Sequence, residues 1–309
     1  MEIQAKDLII IGGSAAAVSA AIYATRSNLN VAIITKDIGG QIALTDEIGN
    51  YPGFSTINGM ELVKEFKKHL DFYNIKIEDG VEVVNVGGQS GDFKIEAKNG
   101  EKTLEYKSKT VLVATGVRHK RLGIPGEEKF YQKGVSYCAN CDGPLFKNKI
   151  VAVIGGGNSA LESSLMLAGI AKKIYILTIN SEMRGEKVMV DKLKKAKNVE
   201  FIYNVRILNI IGENMVNAME YEDLISGKLN KIALDGIFVN IGMIPNSEFL
   251  TQVNKDKTGA ILVNEKCETN ISGLFAAGDV TNILYKQIIV AAGHGATAAL
   301  SVVDYLNKI

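Results

Sequence analysis

Two stretches set the fold: Leu8-Ile9-Ile10-Ile11-Gly12-Gly13-Ser14 near the start and Val151-Ala152-Val153-Ile154-Gly155-Gly156-Gly157 near the middle. Each is a continuous apolar run, rich in β-branched residues, that stops at glycine. Each gives way to a helix-like pattern, from about Ala15 to Asn28 in the first case and through to Gly169 in the second. Each closes on another apolar run, Val31-Ala32-Ile33-Ile34 and Ile174-Tyr175-Ile176-Leu177. Strands that are apolar throughout belong in parallel sheets covered on both faces, and strand–glycine turn–helix–strand is the βαβ unit. The expected class is α/β, built from two dinucleotide-type domains.

Around these units the chain is organised in shorter pieces. Met60 to Tyr73 carries apolar residues at Leu62, Val63, Phe66 and Leu70, the face of a helix of period 3.6. Val81 to Tyr106 reads as strands broken by Gly87-Gly88 and Asn99-Gly100, and Val205 to Leu234 as a matching β stretch that turns at Ser226-Gly227. Ala114-Thr115-Gly116 and Ile241-Gly242-Met243-Ile244-Pro245 read as strand-to-loop exits, the two crossings where one domain is inserted into the other. The expected boundaries are 1–116 with 246–309 for the outer domain and 117–245 for the inserted one. A final helix, Gln287 to Leu306, is rich in Ala and Gly on one side and suits close packing.

Composition agrees. The 309 residues fit two domains, and 47% hydrophobic content is enough for large cores rather than a disordered chain. With 35 Lys and Arg against 34 Asp and Glu, the net charge of +1 gives no reason to expect nucleic acid or an anionic membrane as partner. Lys192-Leu193-Lys194-Lys195-Ala196-Lys197 reads as a solvated helix face, and Arg118-His119-Lys120-Arg121 as a candidate docking patch for an acidic partner. Glycine is in excess at 31 residues while proline is only 4, as suits close backbone approaches in nucleotide turns rather than linkers. The polar start, Met1 to Asp7, lacks the order of regions of a signal peptide, and no stretch is expected to reach the roughly 18 apolar residues of a membrane span. A soluble cytoplasmic protein is the expectation.

Four motifs carry chemistry. Cys138-Ala139-Asn140-Cys141-Asp142 puts two sulfurs within disulfide reach, with the first thiolate stabilised by backbone N–H groups if a helix starts there. A redox pair is the favoured reading; half a zinc site or two inert thiols are the alternatives. Zinc wants four ligands, and no second Cys pair accompanies the scattered His69, His119 and His294, so no metal is expected. The third cysteine, Cys267, reads as structural or idle, and His294 as packing. Gly155-Gly156-Gly157-Asn158-Ser159-Ala160 is a G-x-G-x-x-A turn whose glycines let backbone approach a pyrophosphate at a helix N-terminus. Gly12-Gly13-Ser14-Ala15-Ala16-Ala17 is a degraded copy, with Ser14 and Ala17 where glycine is expected; the Ser14 hydroxyl could donate to a phosphate oxygen. Ala276-Ala277-Gly278-Asp279 ends an apolar strand in a close-approach glycine and a carboxylate suited to a ribityl hydroxyl, or simply to capping.

Taken in order, these pieces resemble the low-molecular-weight thioredoxin reductase family, over essentially Asp7 to Leu306. The resemblance rests on the Gly12 turn, Gly39-Gly40-Gln41, Asn50-Tyr51-Pro52-Gly53, Ala114-Thr115-Gly116, the CxxCD just before the second glycine turn, and Ala277-Gly278-Asp279. Within the family, the second half is most similar to the flavoprotein subunit of alkyl hydroperoxide reductases, through Cys141 to Phe146, Gly236-Ile237-Phe238-Val239, Lys266 to Asn270 and Tyr285 to Ile289. The extra N-terminal dithiol domains of that subunit have no expected counterpart.

The resemblance implies two nested Rossmann-like domains of three-layer ββα type, with an NAD(P) domain carrying the CxxC inserted into an FAD domain. It implies FAD along Gly12, Gly13, Ser14, Ala15, Ala16, Thr35, Gly39, Gly40, Gln41, Asn50, Thr115, Gly116, Gly278, Asp279, Lys286, Gln287 and Ile288. It implies NADH or NADPH along Gly155, Gly156, Gly157, Asn158, Ser159, Ala160, Thr178 and Arg184. By the same resemblance Cys141 faces the flavin and forms a charge-transfer thiolate, Cys138 attacks the partner's disulfide, and Asp142 is the acid/base. The implied activity is that of a thioredoxin-disulfide reductase: electrons pass from NAD(P)H to FAD, to Cys138–Cys141, and to a thioredoxin- or glutaredoxin-like protein. Because dithiol and nicotinamide site share the inserted domain, the connection near Gly116 and Pro245 is expected to act as a hinge. Alternatives are the reductase component of an alkyl hydroperoxide reductase/peroxiredoxin system, or a ferredoxin-linked flavin disulfide reductase. A homodimer is implied by the family. The donor is less legible: Leu177-Thr178-Ile179-Asn180 offers neither the acid that holds the ribose of NADH nor the basic cluster that holds the 2′-phosphate of NADPH, and the expectation leans to NADH.

Overall fold

The computed structural model describes residues 6–45 and 48–308, so the polar opening at residues 1–5 lies outside the described part. Contacts divide the chain into two compact units, Met1–Arg118 with Ile244–Ile309, and His119–Met243. The first unit begins with β1 (Lys6–Ile11), α1 (Ala15–Arg26), β2 (Val31–Thr35), α2 (Gly59–Phe72), β3 (Lys76–Asp79), β4 (Glu82–Gln89), β5 (Asp92–Asn99) and β6 (Lys102–Val113). The chain crosses through β7 (Val117–His119) into β8 (Val135–Ser136), α3 (Ala139–Asp142), β9 (Ile150–Ile154), α4 (Asn158–Ala168) and β10 (Lys173–Leu177). It continues with α5 (Lys187–Lys195), β11 (Val199–Ile202), β12 (Val205–Gly212), β13 (Val216–Asp223), β14 (Leu229–Ala233) and β15 (Gly236–Val239). It returns through β16 (Met243–Pro245) to β17 (Leu274–Ala276) and α6 (Ile288–Leu306).

In the first unit β3, β2, β1, β6 and β17 form a parallel array, while β4 and β5 add an antiparallel extension to the first half of β6. The period of two along β1 sorts its side chains between two cores. Leu8 and Ile10 join α1 and α6 through Ala17, Ala20, Ala298 and Val302, whereas Ile9 and Ile11 face Val83, Phe93 and Ile95 of the antiparallel strands. The second unit repeats the plan. Its sheet runs β11-β10-β9-β15-β8, all parallel. Val151 and Val153 pack on Leu161, Leu167 and Leu193 of the helices, and Ala152 and Ile154 on Val205, Ile207 and Met219 of the three-stranded β12-β13-β14 sheet. Each fully buried Ile or Leu contributes about 1.5–3 kcal/mol, which is why these runs must be apolar on both faces.

Local signals behave physically. Helix α2 starts in a capping box, with Asn58 Oδ1 accepting from Met60 N at 2.9 Å and Glu61 reaching back to Asn58 N. Its apolar stripe, Leu62, Val63 and Leu70, is buried. Gly87 and Gly88 do not break a strand as expected. They lie within β4, opposite Lys94 and Phe93, and the turn comes after them at Ser90-Gly91. The stretch expected to turn once at Ser226-Gly227 turns a second time between β12 and β13. In α6 the small residues do bring helices together: Gly295, Ala298 and Ala299 are buried, and a Cβ on Gly295 would collide with the Ala16 carbonyl of α1. Contrary to the expectation that no stretch reaches membrane length, α6 has 19 residues with a mean hydropathy of 1.3, long and apolar enough by that measure. Its buried stripe belongs to the core with α1, and length and hydropathy alone do not place it in a bilayer.

Candidate functional site

In the inserted unit, Cys138 and Cys141 form a disulfide with a Cα–Cα distance of 5.3 Å. Cys138 is the N-cap of the short α3, and its Sγ accepts from Cys141 N at 3.2 Å, so a partial positive charge meets the first sulfur. Asp142 closes the same turn. Its carboxylate is held by a residue that the motif does not include: Ser136 Oγ donates to Asp142 Oδ2 at 2.5 Å and accepts from Cys138 N at 3.0 Å. Ser136 is 4% exposed, so one buried hydroxyl ties the acid to the backbone of the first cysteine.

Behind this turn is a second polar cluster. Glu127, 3% exposed, accepts from Tyr137 Oη at 2.8 Å, Leu122 N at 2.9 Å and Gly123 N at 2.8 Å. Burial and the hydrogen bond to Glu127 raise the Tyr137 phenol well above its ordinary range. The His119 ring stacks on Tyr137 at 4.9 Å, and burial lowers its pKa. The basic stretch that reads as a docking patch is therefore largely engaged: His119 is in this stack, Arg118 binds Asn246 at 2.8 Å and Glu248 at 2.5 Å, and Arg121 approaches Glu128 at 3.8 Å. Cys267 is buried, and desolvation pushes its thiol up to about 12, which makes it unreactive.

The Gly155 turn lies in the same unit. A Cβ at Gly155 would collide with the Asn240 carbonyl, and one at Gly156 would sit 2.6 Å from Thr178 Oγ1. Gly157 is the N-cap of α4 with no side-chain cap, and a Cβ there would meet nothing within 4 Å, so the helix N-terminus is open. Asn158 Oδ1 accepts from Glu186 N at 2.8 Å, and Arg184 N donates to Gly156 O at 2.7 Å, which brings Arg184 to the turn. Ser159 and Ala160 follow in the first turn of α4. Thr178 Oγ1 accepts from Asn180 Nδ2 at 3.2 Å. Beside the turn, the Oδ1 of Asn240 is buried without a hydrogen-bond partner.

In the first unit, Gly12 has φ of +124° and its Cβ would collide with the Ala114 carbonyl. A Cβ at Gly13 would sit 2.6 Å from Thr35 Oγ1. Ser14 caps the start of α1 by position only: its hydroxyl donates to Gly39 O at 2.9 Å and Gly39 N donates to Gly13 O at 2.8 Å. The hydroxyl that could donate to a phosphate oxygen donates here to the Gly39 carbonyl and ties two loops together, while Ala15 and Ala16 begin a helix without a side-chain cap. Gly40 opens a short 3-10 helix, within which Gln41 Nε2 donates to Val117 O. Asn50 Nδ2 donates to Gln287 Oε1 at 3.1 Å, Gln287 being the N-cap of α6 just before Ile288. Thr115 Oγ1 donates to Asn246 O at 2.6 Å, and Gly116 O accepts from Asn246 N at 3.0 Å.

Gly278 and Asp279 complete this cradle. A Cβ at Gly278, whose φ is +74°, would approach Ala16 Cβ to 2.9 Å. The Asp279 Oδ1 is buried with no partner, and burial pushes its carboxyl up to about 6, against a smaller opposing pull from Lys286. Lys286 Nζ donates instead to Asp279 O at 2.9 Å and Thr281 O at 2.8 Å. His294, expected to be packing, accepts the Gly278 N–H on Nδ1 at 3.0 Å. Ser136, Glu127, Tyr137, Asn240 and His294 carry no motif of their own; only the proximity of Ser136 and Tyr137 to the CxxC in sequence could have drawn attention to them.

A family model described as "Pyridine nucleotide-disulphide oxidoreductase" matches residues 6–295. The F subunit of alkyl hydroperoxide reductase of Escherichia coli (strain K12) is 40% identical over 309 residues, covering 98% of this chain and 59% of that protein. The chain therefore spans about three-fifths of the length of that curated relative. Among solved structures, thioredoxin reductase from Streptococcus pyogenes MGAS5005 superposes with a TM-score of 0.90 at 34% identity, covering 98% of this chain and 99% of the other. Thioredoxin reductase from Giardia duodenalis does so with a TM-score of 0.89 at 31% identity and the same coverage.

Proposed function

Because the chain belongs to the pyridine nucleotide-disulphide oxidoreductase family, we propose that it is an FAD-dependent disulfide reductase of the thioredoxin-reductase type. The observation that carries this is the Cys138–Cys141 disulfide at the start of a helix, with Asp142 fastened beside it by Ser136. The first unit is the FAD domain in this reading, and its residues fit the group: an unpartnered buried oxygen on Asp279, an uncapped α1, and glycines whose side chains would fill the cradle. Gly12 to Ala16, Thr35, Gly39 to Gln41, Asn50, Thr115, Gly116, Gly278, Asp279 and Lys286 to Ile288 would hold it. When bound, FAD supplies the two-electron carrier between a nicotinamide nucleotide and the disulfide.

The chain's own chemistry starts from the reduced pair. The Cys138 thiolate, stabilised by backbone N–H at the start of α3, attacks one sulfur of the partner's disulfide; a mixed disulfide forms and the partner's other sulfur leaves as a thiolate. Cys141 then attacks the Cys138 sulfur, restoring the intramolecular disulfide and releasing the partner's second sulfur. Asp142 takes the proton from the attacking thiol and returns it to a leaving sulfur. Ser136 keeps that carboxylate on the inner side of the turn.

For the donor we favour NADH, held along Gly155 to Ala160. What supports this is the end of β10: Thr178 is occupied by Asn180, and Arg184 is the nearby cation at the turn, too little to hold a 2′-phosphate well. The partner is a thioredoxin- or glutaredoxin-like protein. A second reading, favoured by the identity to the alkyl hydroperoxide reductase relative, is a reductase that feeds a peroxiredoxin system through a separate dithiol carrier. A reducing compartment such as the cytoplasm suits the reducible pair and unpaired Cys267, and the family suggests a homodimer. Anaerobic titration of the FAD-loaded protein with NADH and NADPH in parallel tests the assignment: NADH should bleach the flavin at lower concentration. Bleaching by neither would overturn the nicotinamide site.

A further inference from the structure

Resting on the reading of Gly278-Asp279 as part of the FAD site, we propose that His294 is a positioning residue for that turn, gripping it only with a neutral imidazole and so making FAD binding depend on acidity. The turn is wedged between two helices. Gly295 brings α6 against the Ala16 backbone, and a Cβ on Gly278 would meet both Ala16 of α1 at 2.9 Å and Ala291 of α6 at 3.6 Å. In that wedge the Gly278 N–H is satisfied by His294 Nδ1 at 3.0 Å, and the next residue carries the buried, unpartnered Asp279 oxygen. Lys286 holds the turn from the other end through the Asp279 and Thr281 carbonyls. The aim of the Asp279 carboxyl is thus fixed by one imidazole acceptor and one ammonium donor.

An imidazole can accept at Nδ1 only while that nitrogen carries no proton. Protonation would set two donors against each other across 3.0 Å, release the Gly278 N–H and let the turn rotate. Burial, and then the charge of Lys286, hold the His294 pKa below its ordinary value, in favour of the accepting form. Among the described residues, Lys286 acts on the ring by its charge, Asp279 follows the Gly278 that the ring grips, and the Cys267 Sγ contacts the His294 carbonyl and stays neutral. From α1 the turn meets Ala16.

The test measures FAD affinity of the apo-protein by quenching of flavin fluorescence between about pH 5 and pH 8, the range in which imidazole titrates. His294→Asn keeps an acceptor at the position of Nδ1 but does not titrate; His294→Ala removes it. At pH 8 the Asn variant should bind within about twofold of the parent and the Ala variant roughly tenfold more weakly, the loss of one buried hydrogen bond. Toward pH 5 the parent should lose affinity faster than His294→Asn, whose remaining pH dependence belongs to Asp279. Parallel curves for the parent and His294→Asn would overturn the role of His294 while leaving the FAD site intact, as would an unchanged affinity in His294→Ala. Failure of the parent to bind FAD at any pH would overturn the site itself. Thermal unfolding of the apo-proteins, with Asn close to the parent, separates misfolding from lost grip.

Discussion

Replacing Ser136 by Ala removes one oxygen and changes nothing else in the covalent frame of the active-site turn. Two short hydrogen bonds go with it, from Ser136 Oγ to Asp142 Oδ2 at 2.5 Å and from Cys138 N to Ser136 Oγ at 3.0 Å, along with a long one from Ser136 Oγ to Cys138 O at 3.4 Å. A hydrogen bond to a charged group is worth about 1.5–3 kcal/mol, and a buried N–H left unpaired costs about 1–3 kcal/mol. Both groups lie at the edge of the unit, where water can recover part of the loss, so the expected destabilisation is about 2–3 kcal/mol rather than the sum. Urea unfolding of the oxidised protein measures it. The same change removes the Ser136 tie on the Asp142 carboxylate, so turnover with a protein disulfide should fall while flavin reduction by the nicotinamide nucleotide stays unchanged. Ser136→Thr, which keeps the hydroxyl, should recover most of both. A loss below about 0.5 kcal/mol together with wild-type turnover in Ser136→Ala would rule out this role for the hydroxyl, since that is the size of an ordinary surface substitution.

Asp279 has a raised folded-state pKa, so its contribution is favourable below the unfolded value of 3.8 and is lost as pH rises through about 6. Asp279→Asn should therefore stabilise the apo-protein at pH 7 by up to about 2–3 kcal/mol, with the gain vanishing near pH 4, and should weaken FAD binding; equal stability at both pH values in thermal melts would contradict this. Gly295→Ala opposes two effects: helix propensity favours Ala by about 1 kcal/mol, but the new Cβ would collide with the Ala16 carbonyl, and overpacking against backbone costs about 1–3 kcal/mol. The steric term should win, and a raised melting temperature would show that α1 and α6 can part easily. Introducing Arg at Thr178 and Asn180 should shift preference toward NADPH by roughly tenfold in kcat/KM, the value of one added phosphate contact, and no shift would place the adenosine ribose elsewhere.

The two sheets were legible because an uninterrupted apolar run has few homes other than a strand covered on both faces; Leu8 and Ile10 divide from Ile9 and Ile11 by the period of the strand alone. The CxxC and the glycine turns were legible because their chemistry lies in adjacent residues. What escaped depends on approach between distant segments. Gly87-Gly88 looks like a break, but β5 supplies the partners that keep it in a strand. The Ser14 hydroxyl is taken by a loop 25 residues on. His294 looks like helix packing, and only the return of β17 beside α1 brings the Gly278 N–H to its ring. Ser136 lies outside the CxxC motif, and its hydroxyl meets the acid only because α3 folds Asp142 back toward it.

Stepwise anaerobic reduction, counted in electrons, asks whether the Cys138–Cys141 disulfide is the working redox centre. The FAD-loaded protein should accept about two electron pairs per chain, one for the flavin and one for Cys138–Cys141, and expose two alkylatable thiols that were protected before reduction. The Cys138→Ser, Cys141→Ser double variant should accept about one pair and lose all reduction of thioredoxin-like disulfides. Equal uptake by the two proteins, or a double variant that still turns over a protein disulfide, would show that electrons reach the partner by another route.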